Sequence, residues 1–153
     1  MAGLGRLPRS RRDLSGPAGE SHHRADLVAA DLTSASLSEA NLHQSELDEA
    51  ILEYARLEKA SLYEAKLRNA HLQGANLSRV NLSRANLFKA DLRGANLSET
   101  SLDYLVEASL SEAKYNTKMI KEKNIQGELV ILYPTQWPQG FDPEAAGASC
   151  VDC

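Results

Sequence analysis

Residues 77–97 read LSRVNLSRANLFKADLRGANL, with a leucine at every fifth position. A step of five fits neither standard period. On an α-helix it advances about 500°, so successive leucines would spiral over every side and no apolar stripe would form. On a continuous strand an odd step sends them to opposite faces, which suits only a sheet covered on both sides, and the polar residues between them forbid that. What satisfies every repeat is a chain that turns through roughly a right angle each five residues. Each leucine then points to one shared axis, and four repeats close a square coil.

The register runs without a gap from Leu27 to Leu102, sixteen leucines in all, and alanine stands two residues before thirteen of them. The exceptions, Ser45, Val80 and Thr100, are also small. Two residues apart on a short extended segment is the same side of the chain, so alanine and leucine both face the axis. A bulkier residue in the alanine slot would collide with its counterparts across a narrow interior. Coils stacked by parallel pairing at about 4.8 Å make four coils roughly 19 Å tall, with twenty residues per coil as a second period. Only 5% of residues are aromatic, so this aliphatic interior has to supply the core.

The segment ANLSRVNLSRANLFKADLRGANL, residues 75–97, resembles the A-[DN]-L-x-x signature of pentapeptide repeat proteins, and the resemblance extends from residue 25 to about 115. It implies an all-β fold: a right-handed quadrilateral parallel β-helix of about four coils, with a partial coil and a capping tail. The tail motif TQWPQGFDPEAAGA, residues 135–148, is similar to the C-terminal extension of cyanobacterial-type members. The chain departs from that pattern by carrying KMIKEKNIQGELVI, residues 118–131, ahead of the motif.

Three segments follow. Residues 1–24 read as a disordered or N-terminal capping segment, 1–20 as disordered, residues 25–115 as the solenoid and 116–153 as a C-terminal capping tail. After Leu102 the next alanine–leucine pair is Ala108 and Leu110, eight residues on, which reads as a three-residue insertion before a final partial coil. A solenoid end exposes leucines and unpaired backbone, so something must cover it. Trp137, Phe141 and Leu132 are the candidates for the C-terminal lid. An uncovered end would also offer a homodimer contact.

No apolar run approaches the ~20 residues that cross a bilayer, and the N-terminus lacks a secretory signal core. The expected compartment is cytoplasmic, with the Arg-rich opening MAGLGRLPRSRR leaving organelle targeting as the alternative. Cys150 and Cys153, a lone C-x-x-C pair, are half a zinc site without the context of a thioredoxin-type motif.

Because residues twenty apart stack, the outward columns can be written out. Residues 25–64 hold nine acids and two bases, and residues 65–104 hold three acids and six bases. Glu46–Lys66, Asp48–Arg68 and Glu64–Arg84 are expected cross-coil pairs. Asn or Asp precedes the leucine at Asp26, Asp31, Asn41, Asn76, Asn81, Asn86, Asp91 and Asn96. That recurrence assigns them to the coil, hydrogen-bonding turn backbone, and not to catalysis. Gly74 and Gly94, one coil apart, are expected at positive φ. Of the four histidines only His43 and His71 are placed in the solenoid, on different faces.

A filled square interior leaves no cleft and no set of convergent titratable groups, so the expected class is non-catalytic, with no cofactor or metal. The leading expectation is a protein-binding scaffold with an unidentified protein partner. Its candidate contact residues are Glu46, Asp48, Glu49, Ile51, Glu53, Tyr54, Tyr63 and Phe88. The family resemblance supplies the alternative, a DNA mimic that inhibits or protects a type II topoisomerase. The N-terminal half, net −7 over about 10 Å, approaches the charge density of duplex DNA. Direct nucleic-acid binding is disfavoured, because Arg56, Arg68, Arg79, Arg84 and Arg93 spread over several faces without interleaved aromatics.

Overall fold

The computed structural model describes residues 22–102, 114–115, 120–123, 127, 129–132, 137, 139–145 and 148–150. Within 22–102 the chain winds with a period of twenty residues. Every bridge joins a residue to the one twenty further on in parallel: Asp26 to Glu46, Glu46 to Lys66, Lys66 to Asn86, and likewise on the other three faces.

One repeat explains all the others. The amide of Leu27 donates to the carbonyl of Glu46, the amide of Glu46 to Ala25, and the amide of Ala29 to Asp48, so the strand segment is tied to the coil above. The amide of Ala30 donates back to the carbonyl of Leu27 and closes a four-residue turn. Ala29 has φ of 53°, and the same slot has positive φ in the repeats from Arg24 to Glu99, including Gly74 at 66° and Gly94 at 74°. Positive φ at the third turn position alone is the type II geometry. Most of these slots hold Glu, Lys, Arg or Asn, so each repeat accepts about 1–2 kcal/mol of left-handed backbone strain in return for a turn that keeps leucine on the axis.

The interior is as expected. The leucines from Leu42 to Leu97 are fully buried, with the alanines between them, and form a single core cluster. Two polar residues in the alanine column are accommodated by backbone bonds to the coil below. The Ser45 hydroxyl donates to the His22 carbonyl at 3.2 Å and the Thr100 hydroxyl to the Leu77 carbonyl at 2.7 Å. All eight Asn or Asp residues before the leucine accept the amide two residues on, as in Asn81 with Ser83 at 3.0 Å and Asp31 with Thr33 at 3.1 Å. These side chains occupy the otherwise unpaired turn amides.

The N-terminal boundary needs correcting. The His22 amide donates to Asn41 and the Arg24 amide to His43, the hydrogen bonds made by Leu27 and Ala29 one repeat later. Residues 22–24 therefore belong to the first coil, with His22 in a leucine slot, and His22 and His23 join His43 and His71 in the solenoid. Residues 1–20 lie outside the described residues, as do Ala108 and Leu110.

At the C-terminal end, β1 (Lys114–Tyr115) pairs in parallel with β4 (Ser149–Cys150), while β2 (Ile120–Lys123) and β3 (Leu129–Leu132) pair antiparallel. The segment that departs from the family tail is thus a hairpin. Trp137 and Phe141 stack at 5.2 Å and pack partly buried against the core with Cys150, and Ala148 is buried in it. Of the three candidate lid residues these two pack against the core, and the Leu132 side chain lies outside the described ones. Cys150 is disulfide-bonded.

Candidate protein-binding surface

The columns divide the candidate contact residues among faces. Glu46, Asp48, Glu49 and Phe88 share one face, Ile51, Glu53 and Tyr54 the next, and Tyr63 the face on the other side. They make a corner and an outlier, not one patch. Glu53 is corrected outright: it is 1% exposed and cannot meet a partner. The Tyr54 ring in the neighbouring column does not stand out into solvent but lies along the coil stack on Gly74. Ile51, Tyr54, Tyr63 and Phe88 are all half-buried, and among the described residues the large apolar one left exposed is Val28, at 48%. Sequence reasoning missed Val28, although its place one coil below Asp48 on the outermost coil was legible.

The three expected cross-coil ion pairs form. Lys66 Nζ meets Glu46 at 2.7 Å, Arg84 meets Glu64 at 3.2 Å, and Arg68 donates to Asp48 from Nε at 2.9 Å and from its backbone amide at 2.8 Å. Lys59–Glu39 at 3.6 Å and Arg79–Glu99 at 3.0 Å extend the pattern. Burial pushes the Asp48 carboxyl up, but the Arg68 hydrogen bonds and charge outweigh it and hold the group below the usual carboxylate range. Hydrogen bonds from Gln44, then Tyr63 and Arg84, hold Glu64 low, and the bond to Glu64 pushes the Tyr63 phenol up.

The acidic half and the basic half therefore meet as a seam. Glu46, Asp48 and Glu64 of the second coil are each matched by a cation of the third. Among the described acids of the first two coils, Asp26 and Asp31 turn a carboxylate oxygen to the turn backbone, and Glu49 and Glu58 form no ion pair. An open groove of ≈ 420 Å³ runs along the corner between Arg24, Gln44, Glu64 and Glu46, Lys66. Its groups are engaged with one another: Arg24 Nε donates to Gln44 at 2.9 Å and Gln44 Nε2 to Glu64 at 2.7 Å. Among the described residues no group of three or more His, Cys, Asp or Glu side chains is placed to hold a metal ion, and no helix is long and apolar enough to cross a membrane.

A parallel solenoid with a filled aliphatic axis, flat faces and paired outward charges defines a repeat-scaffold class. The Pentapeptide repeats profile matches residues 25–63 and 65–103, in eight copies, and the chain belongs to that family. A pentapeptide repeat protein from the thylakoid lumen of Arabidopsis thaliana is similar at 28% identity and a TM-score of 0.51, over 57% of this chain. The match spans 63% of the Arabidopsis protein. Rfr23 from the cyanobacterium Cyanothece 51142 is 49% identical over 49% of this chain and 54% of its own, with a TM-score of 0.28. QnrB1, a plasmid-mediated fluoroquinolone resistance protein, is 15% identical over 78% of this chain and 81% of its own, with a TM-score of 0.33. No curated protein sequence matches the chain. Family membership implies a right-handed β-helix.

Proposed function

We propose that this protein is a non-catalytic scaffold that binds another protein through the outer faces of its N-terminal coils. The observation that carries this reading is the pairing of its charges. Titratable groups that could have converged on a substrate are engaged with one another across coils, and the interior is filled with leucine. What remains for a partner is the edge defined by Val28, Glu49 and Ile51, flanked by the half-neutralised acids Glu46 and Asp48. Topoisomerase mimicry draws on the same acids, and the seam of ion pairs weighs against it, because a matched carboxylate no longer presents the bare charge of a phosphate. Supercoiling by gyrase is the test. The scaffold reading expects no inhibition at micromolar protein. Inhibition that disappears when Glu46, Asp48 and Glu49 are changed to Lys would make mimicry the correct reading.

For compartment, the disulfide at Cys150 favours an oxidising location over the reducing cytoplasm, in line with the organelle alternative and with the lumenal Arabidopsis relative. Alkylation of the protein in intact cells, followed by mass spectrometry, tests this: protected cysteines support it and fully alkylated ones return the protein to the cytoplasm.

A further inference from the structure

The hairpin that departs from the family tail has two unlike edges. Its strands pair antiparallel without a bulge, Ile120 with Leu132, Lys121 with Ile131, Glu122 with Val130 and Lys123 with Leu129, and the connection between them carries Gly127 at φ of 82°. β2 reads IKEK, with a charge at three of its four positions. Charged residues, lysine above all, are what sheets place on an outer edge to stop further pairing. β3 reads LVIL. It has no charge and no proline, and it does not alternate: Leu129 and Ile131 fall on one face of the hairpin and Val130 and Leu132 on the other. A short unbroken apolar run is the pattern of a strand in the interior of a sheet. Among the described residues, however, β3 pairs with β2 alone.

We propose that β3 is a homodimerisation edge, paired antiparallel with β3 of a second copy of this chain. A two-fold axis normal to the sheet keeps every residue on its own face, so one residue must meet its own copy. With Ile131 on the axis, Val130 meets Leu132 of the second copy and the reverse, and all three central pairs are aliphatic. A second copy supplies by symmetry the same uncharged edge, and its β2 then closes the far side. The product is a four-stranded sheet with LVIL at the centre and IKEK at both rims, which ends growth at the dimer. It also answers the weakness of a two-stranded hairpin, which is marginal in water until further strands or a packed face support it. The inference is independent of which protein the N-terminal coils meet.

The test is the solution mass of the full chain by light scattering at micromolar concentration, together with Ile131→Glu. That substitution sets a carboxylate opposite Lys121 inside the hairpin, where the pair is favourable, but opposite its own copy across the two-fold. The expected result is a wild-type dimer, weakened by about tenfold or more in Ile131→Glu with the Tm of the dilute monomer kept. Ile131→Cys should cross-link to its own copy under mild oxidation, and Lys121→Cys, on the rim, should not. A monomeric wild type, which would leave the edge to another segment of the chain or to a different protein, overturns the proposal. So do an Ile131→Glu variant that dimerises as the wild type does, growth beyond the dimer, and cross-linking of Lys121→Cys in place of Ile131→Cys.

Discussion

The ring of Tyr54 lies so close over Gly74 that a β-carbon on residue 74 would sit 2.6 Å from the ring's Cε1. Positive φ does not explain this glycine, because Tyr54 itself, Lys59, Asn69 and Arg79 adopt the same conformation at equivalent slots. Space explains it. Gly74→Asn, a change the backbone tolerates at residue 69, should destabilise the protein by about 1–3 kcal/mol through overpacking. Pairing it with Tyr54→Ser should recover most of that loss in urea unfolding. Strictly additive effects would show that the ring does not rest on this glycine.

His22 occupies a slot that leucine fills in the repeats above it, and its Nε2 is buried there. His22→Leu should therefore extend the apolar axis and raise stability by about 0.5–2 kcal/mol, as other changes toward a repeat consensus do. A chemical-denaturation midpoint that stays level or falls would mean the first coil does not begin there.

Asp48 sets a pH dependence with a definite sign. Its folded-state pKa is depressed below the unfolded value of about 3.9, so its contribution is complete above that pH and is lost as pH falls through the lower folded value. Melting temperature should decline on acidification below about pH 4, and Asp48→Asn should flatten that limb while leaving the curve above pH 6 parallel to the wild type. An unchanged acid limb would remove Arg68 as the cause.

How much was legible beforehand varied with the kind of interaction. Leu77 and its fellows were readable because a core repeated sixteen times has a period, and Asn81 and its fellows because each turn exposes the same amide. The ion pairs Glu46–Lys66 and Asp48–Arg68 followed from the twenty-residue stacking alone. His22 was missed because histidine replaces leucine where the register begins, so the pattern seemed to start one repeat later. Glu53 was misjudged because periodicity says which way a residue points but not how deeply it is covered. The hairpin of β2 and β3 has no repeat to betray it.

Every column invoked above rests on the twenty-residue coil, and engineered disulfides measure that period most directly. Ser61 and Asn81 are bridged partners on adjacent coils, within the span that a disulfide closes. Ser61→Cys with Asn81→Cys should cross-link under mild oxidation in the folded protein, whereas Ser61→Cys with Asn76→Cys, one face short of a full coil, should stay reduced. Efficient cross-linking of the 61–76 pair, or failure of the 61–81 pair in a folded variant, would contradict the four-sided coil and the binding surface built on it.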